Sequence, residues 1–296
     1  MFKQKSRAGR LLGLLALVLL GANTAATLAD TPTQGLLWQI RAGNAAPSYL
    51  LGTMHSDDPR LLDLPAELER ALQGARSFTM EVIMDPLALS ALGQRMLLPP
   101  GESLQKMLDA GSWRQLVLVM GKRQVPEPSL QRLRPWAVAM VLSMPQQLSG
   151  LPLDLHLQQY AAGLGKPLYG LESIEEQVAL FEELSDAEQL QLLRSTLEQL
   201  PELPALIEAL TIAYLARDLA AMQALTDEQL AIGDVRFNRR FIKRLIDDRN
   251  VKMFQRMRPR LREGGAFIAV GAMHLPGERG LLNMLSKQGY QLRVVY

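Results

Sequence analysis

Two of the three histidines in this 296-residue chain sit in matching tetrads, Gly52-Thr53-Met54-His55 and Gly271-Ala272-Met273-His274. Each tetrad closes an apolar run, so each delivers an imidazole where a strand gives way to a loop. Imidazole is the commonest transition-metal ligand and titrates near neutrality. Two of them at strand ends could share a metal or a substrate; the competing reading is a pair of hydrogen-bonded histidines at strand termini. Glu81 interrupts the run Phe78-Thr79-Met80-Glu81-Val82-Ile83-Met84. A carboxylate inside a buried strand is costly unless it is paired or metal-bound, whereas period-two alternation would turn it to solvent, and spacing leaves these two readings even. Glu172 ends Leu168–Glu172, either as a site residue at a strand terminus or simply ahead of a helix cap at Ser173. Asp154 and His156 lie in Pro152-Leu153-Asp154-Leu155-His156, where a helix cap and a surface histidine are the plain alternatives. Arg249-Asn250 follows Asp247-Asp248 in a basic helix whose plain reading is a solvated face. With no cysteine in the chain, thiolate zinc sites, iron–sulfur clusters, disulfides and cysteine nucleophiles are excluded.

The elements that must position these groups read as strands near both ends and helices between. Leu36–Arg41 and Ser48–His55, separated by Gly43-Asn44 and Pro47, read as a β-hairpin. Pro65–Ala75 reads as a helix, Ser77–Met84 as a third strand, and Asp85-Pro86 as an N-cap with proline at the first helical position. Residues 86–165 are helical with short breaks. Lys166–Glu172 is a short strand, after which helices dominate to about 262. Ser112 with Gln115, Ser173 with Glu176 and Ser185 with Glu188 fit capping boxes, and Thr226 with Gln229 reads as the start of the last long helix. Ala266–His274 is an apolar strand, Leu281–Gln288 a helix, and Gln291–Tyr296 the last strand. The fold class this implies is α/β (α+β): a mixed central sheet built from N- and C-terminal strands, flanked by helices, with a helical middle. Open sheets of this kind bind ligands at strand ends.

Composition narrows the function. Lys+Arg is 32 and Asp+Glu is 30, but four of the positive charges lie in the first ten residues. Residues 1–29 follow the charged, apolar, small-residue order of a signal peptide, with cleavage after Ala26 or Ala29. The alternative is an uncleaved N-terminal membrane anchor, although the apolar run is shorter than the roughly 20 residues of a spanning helix. The expectation is a periplasmic or secreted protein with no stable membrane span after cleavage. Its remainder, residues 30–296, would form a single domain with helical insertions at about 86–165 and 173–262. Removing the leader leaves 28 bases against 30 acids, which disfavours a basic nucleic-acid binder. Charge is segregated along the chain: residues 171–234 hold 14 acids and two bases, residues 236–262 hold 11 bases and two acids. The two segments are expected to pair; a free anion-binding face on 236–262 is the alternative.

These motifs together resemble the TraB/GumN family, with its Tiki-type metalloproteases that cleave Wnt, and the wider erythromycin esterase/ChaN-like group. The residues that carry the resemblance run from Leu37-Trp38-Gln39-Ile40 through Gly52–His55, Met80-Glu81-Val82, Leu153-Asp154, Gly165-Lys166-Pro167, Gly170–Gln177 and Asp248-Arg249-Asn250 to Ala269–Gly277 and Gly289-Tyr290. The resemblance implies a mixed sheet flanked by helices and a metal-dependent, peptidase-like hydrolase. It assigns His55, His274 and Glu81 to the metal, and Glu81, Arg249 and Asn250 to catalysis and its polar support, with Asp154 and Glu172 as further candidates. Glu81 would activate water or complete the metal shell, and Arg249 would stabilise a developing oxyanion. The cofactor would be a divalent cation, manganese, cobalt or zinc; the chain contains no H-E-x-x-H, so its geometry would differ from that of helical zinc peptidases. The substrate would be a peptide or another small molecule. The alternative function is a non-catalytic periplasmic binding protein for an anionic or polysaccharide-related ligand.

Overall fold

The computed structural model describes residues 33–145 and 150–296; the expected signal peptide lies outside the described residues. Six strands form one mixed sheet in the order β4-β3-β5-β2-β1-β6. The strands are β1 (Leu37–Arg41), β2 (Ser48–Thr53), β3 (Ser77–Met80), β4 (Leu168–Gly170), β5 (Ala266–Gly271) and β6 (Gln291–Val294). The expected hairpin is present, with Leu37 opposite Leu51 and Ile40 opposite Ser48. β6 adds antiparallel to the outer edge of β1. The other pairings, β2 with β5 and β3 with both β5 and β4, are parallel. Helical crossovers cover a parallel sheet on both faces, and β5 is accordingly buried at every position.

The four parallel strands point the same way, and their carboxyl ends form one rim of the sheet. The chain leaves β2 at Thr53, β3 at Met80, β4 at Gly170 and β5 at Gly271. His55, Glu81, Glu172 and His274 therefore all lie one to three residues beyond a parallel strand. The strands are shorter than the apolar runs that announce them. β3 stops at Met80, so Glu81 does not interrupt a strand but follows one. After β5 the chain enters a 3-10 turn, Ala272–His274, that carries His274.

Apolar side chains gather in two main groups. One surrounds the sheet, where the Phe78 and Phe267 rings stack across β3 and β5 at 6.0 Å between centroids. The other lies within the helical middle, around Trp136, Leu192 and Phe241. Capping boxes at Ser173 and Ser185 are both formed, and Asp85 caps the helix Pro86–Arg95. Two helix starts differ from expectation. Asp109, not Ser112, caps the helix Ala110–Lys122, because its carboxylate reaches the N–H groups of Gly111 and Ser112 and a hydroxyl one turn later is not needed. Thr226 lies inside the helix Leu219–Leu230, where its hydroxyl donates to the Met222 carbonyl at 2.9 Å; Asp218 is the cap.

The acidic and basic segments pair as expected. Arg240 meets Glu188, Arg244 meets Glu183, Arg249 meets Glu172 and Arg256 meets Glu176. These contacts bind the helix Val235–Ile242 and the helix Asp248–Glu263 to the helices that precede them. A π-helical turn, Lys243–Asp247, joins those two basic helices. Such insertions often mark functional positions, and this one immediately precedes Arg249, whose Nη1 donates back to the Leu245 carbonyl at 3.1 Å.

Candidate functional site

Each histidine at the sheet rim is held by its own partner. The Nδ1 of His55 donates to Asp154 Oδ2, and the Thr53 hydroxyl donates to Asp154 Oδ1. A carboxylate only accepts, so Nδ1 carries the proton and Nε2 is the nitrogen left to the adjoining cavity. Asp154 sits in the first turn of the helix Leu153–Gly163 and is buried, so its role as a plain helix cap gives way to holding Thr53 and His55. On the other strand, His274 Nδ1 lies 2.7 Å from Asn250 Oδ1, while the Asn250 amide nitrogen donates to the Arg279 carbonyl at 2.9 Å. That second bond fixes which way the amide points, so Oδ1 faces His274 and Nδ1 is the donor, and in the neutral ring Nε2 bears a lone pair.

Glu81 ties the His274 side of the rim to Arg249. Its Oε1 accepts the Gly271 N–H at 2.7 Å, and its Oε2 accepts from Arg249 at 2.5 Å. Arg249 also clasps Glu172, with Nε and Nη2 at 2.9 and 2.7 Å from Oε2. Gln177 spans both carboxylates, its amide nitrogen 3.3 Å from an oxygen of each. Glu81 is 9% exposed, Glu172 8% and Arg249 6%. Glu81 is thus buried and paired rather than turned to solvent. The cation expected to face a substrate is instead committed: Arg249 is a clamp between two buried carboxylates.

The electrostatics follow from this wiring. Burial pushes the Glu81 carboxyl up, but Arg249, the two histidines and the Gly271 N–H outweigh it and hold it well below the usual carboxylate range. Burial pushes His274 down to about 3, with Glu81 opposing the shift and Arg249 and His55 adding to it, so this ring is neutral at physiological pH. Burial works against a charge on His55 as well, yet attraction and hydrogen bonding from Asp154, with Glu81 behind, raise it to about 9.

One contact stands out. His274 Nε2 lies 3.6 Å from Glu81 Oε1. With His274 neutral and protonated on Nδ1, a lone pair and a carboxylate oxygen face each other in a buried place. That arrangement suits a shared cation, and the nitrogen–oxygen donor set suits manganese, cobalt or zinc. Ligating histidines characteristically donate their other nitrogen to a carboxylate or carbonyl, as both rings do here. Among the described residues, however, no three His, Asp or Glu side chains converge closely enough to hold an ion as they stand. His55 shares a cavity wall with Glu81 but is not in contact with it.

The seven residues singled out from the sequence all fall at this rim, His55 and Asp154 in one bonded group and Glu81, Glu172, Arg249, Asn250 and His274 in a second. His156, on the helix of Asp154, takes no part. Thr53 and Gln177 belong to these groups and were missed as candidates. Thr53 sits within the first tetrad, and Gln177 lies four residues beyond the Ser173 cap; both fall in the stretches that carry the family resemblance, which was the available signal.

A profile of the TraB/PrgY/gumN family matches residues 36–294. The chain belongs to this family. Its similar relatives include metalloprotease TIKI2 of Danio rerio, 30% identical over 86% of this chain and 60% of that protein. Metalloprotease TIKI1 of Homo sapiens is 28% identical, over 86% of this chain and 61% of that protein. The protein YbaP of Escherichia coli (strain K12) is 27% identical, over 80% of this chain and 87% of its own length. This TraB/PrgY/gumN chain thus spans about 60% of the length of the TIKI proteins. No solved structure matches it. Among the described residues no helix is long and apolar enough to cross a membrane.

Proposed function

We propose that the chain is a divalent-metal-dependent hydrolase acting on peptide bonds in the periplasm or outside the cell. The observation that carries the reading is His274 Nε2 set 3.6 Å from Glu81 Oε1 in a buried site, a ring nitrogen and a carboxylate oxygen placed to share a cation. His274, Glu81 and His55 would hold the ion, which would supply Lewis acidity and an activated water when bound. The chain's own groups prepare the place. Asp154 holds the His55 ring by Nδ1, so Nε2 would have to give up its proton to serve as a ligand. Asn250 likewise holds the His274 ring by Nδ1. Arg249 occupies Glu81 Oε2, and Oε1, which accepts the Gly271 N–H, is the oxygen nearer His274. A carboxylate held so firmly ionised is a weak proton acceptor, which favours Glu81 as a ligand over Glu81 as the general base. The metalloprotease names of the relatives support a peptide as the substrate.

The binding-protein alternative drew on a free basic face at 236–262, and four arginines of that segment are occupied by the acidic helices. The test is chelation followed by reconstitution. Stripped protein given manganese, cobalt or zinc should regain hydrolysis of a quenched-fluorescence peptide library, and His55→Ala and His274→Ala should lose bound ion and turnover together. Turnover that survives chelation, or survives in both histidine variants, overturns the metal reading. Ion binding with no turnover on any peptide would leave a binding protein.

A further inference from the structure

The candidate site opens on a cavity of about 220 Å³ lined by 16 residues. Four of them are polar, and these are the site's own groups: His55, Glu81, Asp154 and Gln177. The remaining twelve are apolar. Four of those are methionines from separate places in the chain: Met80 at the end of β3, Met84 after it, and Met140 and Met144 on the helix Pro135–Ser143 and its C-cap. Trp136 and Phe181, stacked at 5.3 Å between centroids, also line it.

The cavity is open to solvent on one side and apolar over most of its wall. Whole-ligand pockets run to about 300–1,000 Å³; this one is smaller and fits a single side chain. Its walls say which kind. No charge lies in it beyond the site's own, so a charged side chain would be desolvated there without a partner. Methionine is unbranched and polarizable, and a wall built of it adapts to more than one apolar shape. On its other side His55 borders a different space, lined by Asp57, Lys122 and Gln124 among others. That second space brings charged groups beside apolar ones, and Met144 and Pro152 line both.

We propose that the apolar cavity is a specificity pocket, which seats the side chain of a large apolar residue, leucine, methionine or phenylalanine, next to the bond to be cleaved in a peptide. The inference rests on the hydrolase reading, and its test separates the two. The full chain, loaded with the metal that supports turnover, is given peptides identical except at one position flanking the scissile bond. Leucine, methionine and phenylalanine peptides should exceed alanine and aspartate peptides in kcat/KM by about 10–200-fold. Met140→Trp, which narrows the cavity from a half-buried wall, should cut the leucine-to-alanine ratio at least tenfold; Val178→Phe is the second variant with the same expected direction. Equal rates across the peptides, or an unchanged ratio in both variants, overturn the pocket while leaving the hydrolase standing.

A second measurement on the unaltered protein needs no turnover. With methionine methyls labelled, N-acetyl-leucine amide should shift the Met84, Met140 and Met144 resonances, assigned by substitution, and N-acetyl-aspartate amide should not. Those shifts without hydrolysis of any peptide would support the pocket and sink the hydrolase. Absence of the shifts, or equal shifts from both amides, overturns the pocket.

Discussion

Replacing Arg249 by methionine tests whether the clamp is what allows two carboxylates to lie buried at the sheet rim. Arg249 is 6% exposed and bridges Glu81 and Glu172. Arg249→Met keeps much of the side-chain volume and removes the only cation touching either carboxylate among the described residues. Removing one partner of a buried ion pair typically costs about 3–5 kcal/mol, because the other charge stays in place uncompensated. For a chain of this size that is a fall in melting temperature of roughly 10 °C. Adding Glu172→Gln removes one of the two stranded charges and should recover about half, or about 2 kcal/mol, although neighbours need not add. The pH dependence has a definite sign. In the native protein Glu81 is held below its ordinary 4.5, so its contribution is present above that value and lost as pH falls. In the variant the same carboxylate, buried without its cation, is pushed above that value, so native stability is present at low pH and lost as pH rises. The native contribution is complete at both pH 5 and pH 8, so it is the second effect that makes the deficit of the variant larger at pH 8 than at pH 5. Urea denaturation and thermal melting at the two pH values provide the assay. A deficit under about 1 kcal/mol at pH 8, the range of exposed pairs, or a deficit that grows on acidification, would refute the clamp.

Other outcomes follow from single contacts. Asn250→Ala removes the acceptor that fixes the His274 tautomer, so metal affinity should fall about 10–100-fold in chelator competition; unchanged affinity would show that the ring is oriented otherwise. A Cβ on Gly52 would lie 2.8 Å from Leu275 Cδ1 and 2.9 Å from Ala272 Cα, so Gly52→Ala should cost about 1–3 kcal/mol by overpacking the two histidine motifs against each other, read as a lower melting temperature. Burial raises Asp227 to about 6, against an opposing pull from Arg239. Stability from its neutral form is therefore lost as pH rises through about 6, and Asp227→Asn should be more stable than the native protein at pH 8 and no more stable at pH 4 in urea titrations.

The position of the candidate site was legible in the sequence because strand ends announce themselves. Apolar runs that stop at Gly52–His55, Met80-Glu81, Gly170–Glu172 and Gly271–His274 mark the rim, and short-range signals placed the caps at Asp85, Ser173 and Ser185. Local chemistry was not enough elsewhere. Ser112 and Thr226 had the spacing of caps, but each helix starts earlier, at Asp109 and at Asp218, and spacing cannot say which start wins.

The sequence by itself determined the residue types, the hairpin, the α/β class and the segregation of acid from base, since each depends on neighbours along the chain. Only the tertiary structure decided how those residues act on one another. Parallel pairing of β2, β3, β4 and β5 brings four carboxyl ends to one edge, and that pairing joins Thr53 to Gly271 across 218 positions. Whether Glu81 faced solvent or a partner could not be read from alternation, because its neighbours are apolar under either reading. Its burial follows from where Arg249 arrives, on a helix that a π turn sets in place. The same holds for the histidines: a ring nitrogen's role depends on the atom opposite the other nitrogen, and those atoms, on Asp154 and Asn250, come from helices elsewhere in the chain.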